Sequence, residues 1–181
     1  MKSKRNIIFI GGIHGVGKTT ICKKVSKSLN IKHYSSSDLI KNIKSTYVNK
    51  DKKVKDISGN QNTLLQAIDI YLDENMSLLD GHFCLLDESG SIKEISKKTF
   101  KEINIIRIII LVDSPEKIVE KLRNRDSNKY SLDFIKEFQK REIEYGKLIS
   151  EELNINLDII NLSENNNYIQ KFKDIIKEYL I

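Results

Sequence analysis

Gly12-Ile13-His14-Gly15-Val16-Gly17-Lys18-Thr19 fits the pattern G-x-x-x-x-G-K-[ST] in full. It follows the apolar run Ile7 to Ile10 directly, and it precedes a segment in which Ile21, Cys22, Val25 and Leu29 recur at helical spacing. A glycine-rich turn between a strand and a helix is a cradle for phosphate. Triphosphate oxygens need many donors at short range, and backbone N–H groups supply them only where no Cβ collides with the anion. Gly12, Gly15 and Gly17 meet that need, with His14 and Val16 as the variable positions between them. The helix that starts near Lys18 adds the positive end of its dipole. Lys18 brings an ammonium to the β and γ phosphates, Thr19 offers a hydroxyl to Mg²⁺, and Thr20 continues the turn. The cofactors expected are ATP and Mg²⁺. A glycine-rich turn carrying a surface lysine would lack the flanking strand and helix.

Length and composition set the remaining bounds. A chain of 181 residues can bury a real core, and its hydrophobic content of 39% holds no apolar run long enough to cross a membrane. The basic start Met1-Lys2-Ser3-Lys4-Arg5 is followed by too short an apolar stretch for a secretory signal. Cys22 and Cys84 are too few for a disulfide framework and read as reduced core thiols, so a cytoplasmic protein is expected. The net charge of +6 comes mostly from lysines scattered among Asn and Ile. That is compositional bias more than a nucleic-acid footprint. Nucleic acid remains open as a partner without being favoured, and a protein partner is possible.

The order of elements predicts a parallel sheet. Strand signals fall at Ile7 to Ile10, Lys32 to Ser35, Met76 to Asp80, Ile105 to Val112 and Leu157 to Leu162. Between them lie a helix start at Ser37 and Asp38, a helix through Leu64, Leu65, Ile68 and Leu72, and a Ser114-Pro115 helix start. A long helix from about Ser131 to Leu153 and a last amphipathic one through Phe172 and Ile176 complete the pattern. Asp87 to Gly90 read as a turn between two short extended pieces. The expected fold class is α/β: a three-layer P-loop NTPase fold, with a five-stranded parallel sheet and helices on both faces. It would form a single domain over 1–181, with a helical acceptor-side insert at about 37–75 and a short lid at about 123–131.

Five strands with a phosphate loop on the first would also suit small GTPases. A guanine-reading N-K-x-D segment is missing after the late strands, whereas an inserted helical segment and a basic turn between late helices fit a small-molecule kinase. Asp38-Leu39, Leu79-Asp80-Gly81-His82, and the run from Ile109 through Ser114-Pro115 to Arg123-Asn124-Arg125 together resemble the P-loop nucleoside-monophosphate kinases. The likeness is to the archaeal-type adenylate kinases and their small eukaryotic adenylate kinase/ATPase relatives, and it spans most of the chain. It implies transfer of the ATP γ-phosphate to a small acceptor such as a nucleoside monophosphate. It also implies that Asp80 holds Mg²⁺ through water.

Each supporting residue has two readings. An acid at the end of a buried strand needs a cation or donors, so Asp80 serves the metal or a turn. Asp113 is the rival acid, but Ser114 and Pro115 make it a helix start. His82 orients an acceptor or is a satisfied interior histidine, and Asp38 binds the acceptor or caps its helix. Arg123 and Arg125 neutralise the transferring phosphate or are a solvated helix end. Arg141 falls on a projected stripe of Phe134, Phe138, Tyr145 and Leu148, where it must meet a phosphate or a carboxylate. Gln61 hydrogen-bonds the acceptor or caps a helix. The purine is expected near Ser163 to Asn165. No arginine occurs between Arg5 and Arg107, so the acceptor side offers only lysines, and a metabolite hydroxyl or a nucleic-acid end stands beside the monophosphate as acceptor. A slow ATPase acting as a switch on a protein partner is the alternative from another class.

Overall fold

The computed structural model describes residues 5–47, 57–124, 130–164 and 166–180. Its first half contains β1 (Ile7–Gly11), α1 (Lys18–Leu29), β2 (Lys32–Ser35), α2 (Ser36–Tyr47), α3 (Ile57–Tyr71) and β3 (Ser77–Asp80). A short hairpin of β4 (Cys84–Leu86) and β5 (Ile92–Glu94) follows, then α4 (Lys97–Ile103). The second half comprises β6 (Ile105–Val112), α5 (Pro115–Arg123), α6 (Leu132–Leu153), β7 (Leu157–Asn161) and α7 (Tyr168–Lys177).

Five strands form one sheet in the order β2-β3-β1-β6-β7, with every neighbouring pair parallel. β1 and β3 are buried at every position, as expected of central strands covered on both faces, and β3 carries the buried polar Ser77 and Asp80 at its ends. β2 opens with an exposed lysine, which suits an edge. Helices α1 and α7 pack against each other on one side of the sheet, while α6 lies against β6 and also meets α4 and α5. This is the α/β three-layer P-loop fold. The chain leaves the central β1 for the β2 edge, returns through β3, then crosses β1 to reach β6 and β7. The direction of winding reverses beside β1, so a crevice opens at the carboxyl ends of β1 and its neighbours, where open α/β sheets bind ligands.

Local chemistry sets the element boundaries. Helices α1, α4 and α6 each end at an asparagine in the left-handed conformation: Asn30, Asn104 and Asn154. Asparagine tolerates that geometry better than other residues with a Cβ. Ser114 caps α5 by accepting the Lys117 N–H, with Pro115 at the first helical position, and Ser131 caps α6 by accepting the Phe134 N–H. In the β4–β5 turn, Asp87 Oδ1 accepts the backbone N–H groups of Ser89 and Ser91. Helix α4 has no counterpart among the sequence expectations. At 7 residues it is too short to show a period, but Ser96 caps it and Thr99, Phe100 and Ile103 bury one face.

Close packing of α6 on the sheet depends on Gly146. A Cβ there would meet Ile110 Cδ1 at 2.5 Å and the Phe83 ring at 3.1 Å. Gly146→Val is therefore expected to destabilise the fold by about 1–3 kcal/mol through overpacking. Urea unfolding should show this as a lower midpoint with an unchanged slope.

Candidate functional site

The phosphate loop leaves β1 at Gly11 and enters α1 at Lys18. Gly12 holds a φ of 141°, and a Cβ there would lie 2.7 Å from the Leu111 carbonyl oxygen. Gly17, the N-cap of α1, is left-handed at φ 107°. Val16 is fully buried and anchors the loop from below. Lys18 folds back under the loop, where its ammonium donates to the carbonyl oxygens of Gly12 at 2.6 Å and Ile13 at 3.2 Å. Those bonds hold it beside the cradle.

Parallel register places the candidate metal acid. Ile10 of β1 pairs with Asp80 of β3, so the β3 carboxylate arrives level with the start of the loop. Thr19 Oγ1 donates to Asp80 Oδ2 at 3.1 Å, and His33 Nε2 lies 2.6 Å from the same oxygen. A threonine hydroxyl beside a buried carboxylate is a hard oxygen donor set, and it fits Mg²⁺.

His82 is buried next to Lys18, with Nδ1 3.5 Å from the ammonium nitrogen, and its ring packs on that of His14 at 4.0 Å between centroids. Burial, then the Lys18 charge and His14, drive the His82 pKa well below its ordinary 6.5. The imidazole is therefore neutral at physiological pH, and with its proton on Nε2 it accepts from Lys18 through Nδ1.

Glu142 stands outside the residues that the sequence pattern singles out. This α6 glutamate is 0% exposed, and its carboxylate accepts three backbone N–H groups: Gly12 at 2.9 Å, Phe83 at 2.9 Å and Cys84 at 2.7 Å. It joins the phosphate loop to the segment that follows β3 and His82. Burial pushes its pKa up, and these hydrogen bonds and the Lys18 charge pull the other way.

A cavity of about 580 Å³ runs from this loop to the opposite wall. At one end it is lined by His14, Gly15, Lys18, Thr19, Thr20, Asp80 and His82. Ser35 and Ser36 stand beside Asp80 and Gly81, and the rest of the lining includes the polar Ser37, Lys41, Lys44, Asn60, Gln61 and Thr99 and the apolar Leu64, Phe100 and Ile103. Gln61 accepts from Thr99 Oγ1 at 2.8 Å, and Lys44 donates to Asn60. Ser36 Oγ is buried without a hydrogen-bond partner.

Several expected residues stand elsewhere. Arg141 does not lie on the buried stripe of α6, which runs through Ile135, Phe138, Glu142, Tyr145, Gly146 and Ile149. The projected stripe shares Phe138 and Tyr145 with the buried one, but the buried face extends toward Ile135, Glu142 and Ile149, away from Phe134, Arg141 and Leu148. Arg141 pairs instead with Glu94 at 3.0 Å in a partly exposed bridge, and no arginine lines the cavity among the described residues. Asp38 is 63% exposed, outside the cavity and 3.9 Å from Lys41, so it supports the first turn of α2. Arg123 is exposed at the end of α5, while Arg125 and most of the expected lid lie outside the described residues. Asp113 is structural. It pairs with Lys121 at 2.8 Å, accepts from the Ser114 N–H and the Ser163 hydroxyl, and so occupies the serine at which the purine was expected. Asn165 lies outside the described residues.

Residues 11–139 match the sequence model of the AAA domain family, and the chain belongs to that family. Among solved structures it is similar to a shikimate kinase from Bacteroides thetaiotaomicron, with 16% identity over 97% of this chain and 98% of that one and a TM-score of 0.53. A gluconokinase from Sinorhizobium meliloti 1021 is similar at 9% identity over 99% of both chains, with a TM-score of 0.50. These likenesses show the α/β P-loop NTPase fold. No curated protein gives a match.

Two outcomes are expected. Glu142→Ala leaves three buried donors without an acceptor and should cost about 3 kcal/mol or more in urea unfolding, with Glu142→Gln intermediate. For His82 the folded pKa is depressed, so its contribution to stability is present above 6.5 and is lost as pH falls below that value. Comparing unfolding free energies between about pH 7.5 and 5.5, the decline in the wild type should be reduced in His82→Gln.

Proposed function

We propose that the chain is an ATP- and Mg²⁺-dependent phosphotransferase that moves the γ-phosphate of ATP to a small organic acceptor. The observation that carries this reading is the continuity of the cavity: one space joins the phosphate loop to a chamber closed by α2, α3 and α4. A simple ATPase needs only the first end. Two structural neighbours, the shikimate kinase and the gluconokinase, support the same class.

Phosphoryl transfer asks the protein mainly for positioning and charge. The loop N–H groups and the α1 N-terminus would hold the phosphates, with Lys18 turning from the Gly12 carbonyl toward the β and γ oxygens. Thr19 and Asp80 would hold Mg²⁺, which neutralises charge on those oxygens when bound. Neutral His82 is placed to orient the acceptor hydroxyl, and Glu142 keeps loop and His82 segment in register. The segment 37–75 would serve as acceptor-side insert and 123–131 as lid, with Arg123 and Arg125 the expected partners of the transferring group. A cytoplasmic place suits an ATP-using protein with two buried free thiols, Cys22 and Cys84.

A nucleoside monophosphate of the adenylate kinase type is one acceptor that fits the fold. The lining favours a second: a hydroxylated metabolite carrying at most one negative charge. The cations at the far end are Lys41 and Lys44, the latter held by Asn60, and neither is the planar fork that clamps a phosphate monoester. Ser36 Oγ, buried and unpartnered on the cavity wall, offers a hydrogen bond to an acceptor hydroxyl.

Labelled ATP and Mg²⁺ should be incubated with nucleoside monophosphates, polyols and hydroxy acids in parallel. Transfer to one class is expected, abolished by Lys18→Ala and reduced by at least about a hundredfold in Asp80→Asn. Ser36→Ala and Gln61→Ala should each raise the acceptor KM by about 2–10-fold while leaving the ATP KM unchanged. Phosphate release alone, equal with and without every acceptor, would sink the kinase reading.

A further inference from the structure

Three side chains of different chemistry meet behind the candidate Mg²⁺ position. Cys22 comes from α1, His33 from β2 and Asp80 from the end of β3, and one ligand atom of each lies within 4.8 Å of the other two. Cys22 is fully buried, and the side chains of His33 and Asp80 are 7% and 5% exposed. Three elements that meet only in the fold therefore bring a thiol, an imidazole nitrogen and a carboxylate together out of bulk water.

That donor set does not suit Mg²⁺, which takes oxygen ligands. Sulfur, nitrogen and oxygen together suit a borderline cation such as Zn²⁺. Charge agrees as well: a thiolate and a carboxylate balance a divalent ion in a buried place, where an uncompensated charge would be costly. Ligand atoms in a tetrahedral zinc site lie roughly 3.5 Å apart, given bonds of about 2.0–2.3 Å. His33 Nε2 and Asp80 Oδ2, 2.6 Å apart in a hydrogen bond, would part to that spacing as the ion enters. Asp80 also lines the cavity, which supplies an entry path and room for a water as fourth ligand.

We propose that Cys22, His33 and Asp80 form a binding site for a Zn²⁺-type divalent cation, distinct in chemistry from the Thr19–Asp80 pair but sharing its carboxylate. Binding forms bonds from the metal to Sγ, Nε2 and a carboxylate oxygen. The Cys22 proton leaves to solvent, the hydrogen bond between His33 Nε2 and Asp80 is given up, and the ring proton moves to Nδ1 so that Nε2 can bind the metal. Because both cations call on Asp80, Zn²⁺ and Mg²⁺–nucleotide should weaken each other's binding by the same factor. Only this last clause rests on the phosphotransferase reading.

The metal-binding test needs no nucleotide. Purified full-length protein would compete for Zn²⁺ against a chromogenic chelator, and Co²⁺ would be added separately to look for a thiolate-to-cobalt charge-transfer band. One equivalent of Zn²⁺ taken from the chelator is expected, with a Co²⁺ band in the near ultraviolet. Cys22→Ser and His33→Gln should each weaken uptake by at least about tenfold, while Cys84→Ser leaves it unchanged. His33→Gln decides the matter if Cys22→Ser does not fold, with circular dichroism showing which variants are folded. Absence of stoichiometric uptake, or equal uptake by folded Cys22 and His33 variants, overturns the site.

Discussion

A single buried carboxylate organises the business end of this molecule. Glu142 projects from α6 through the layer of helices and receives the backbone N–H groups of Gly12, Phe83 and Cys84. Those donors belong to two crossings of the sheet's carboxyl edge, the turn after β1 and the segment after β3. Neither has a strand partner for these groups, and buried donors without acceptors would destabilise both. One glutamate satisfies all three, and the same contact sets how far the phosphate loop stands from His82. Gly11 makes the approach possible: a Cβ there would meet the Phe83 ring at 2.5 Å.

From that fixed point the rest of the site follows by register. β1 and β3 are paired so that Asp80 stands level with Ile10, and α1 begins where Thr19 can reach the Asp80 carboxylate. Lys18 neutralises part of the negative charge that Glu142 and Asp80 bring into the interior, and it keeps His82 neutral through its own charge. The acceptor chamber is built differently. Its walls come from α2, α3 and α4, outside the sheet, and its polar groups are hydroxyls, amides and lysines. On the proposed reading, the sheet edge handles phosphate and the helical segments the acceptor.

What could be read from the sequence divides along the same line. The phosphate loop is legible because its chemistry is local: glycine spacing, a lysine and a threonine within eight positions. Strands β1 and, past Arg107, β6 are legible as continuous apolar runs, the edge strand β2 only as a short extended stretch, and the acid at the end of β3 stands out against Leu78 and Leu79. Glu142 was hidden because a glutamate on an amphipathic helix reads as solvent-facing, and a stripe drawn through Phe134 and Leu148 on the wrong flank of Phe138 and Tyr145 took in Arg141 instead. Gly146, four residues on, was the available clue, since a glycine inside a 22-residue helix signals close packing. His33 escaped notice because its partner, Asp80, is brought to it only by pairing of β2 with β3. Helix α4 was too short for periodicity to reveal. Long-range pairing and short elements are what a one-dimensional pattern does not carry.

The central claim is that the γ-phosphate goes to an organic hydroxyl in the chamber beside the loop. The most direct measurement is phosphorus NMR of ATP and Mg²⁺ with the protein and a defined pool of small hydroxylated metabolites and nucleotides, with Lys18→Ala as background. The account predicts a new phosphorus resonance from phosphorylated acceptor that grows as the γ signal decays and is missing with Lys18→Ala. Decay of the γ signal into inorganic phosphate alone, with every acceptor signal unchanged, would contradict it.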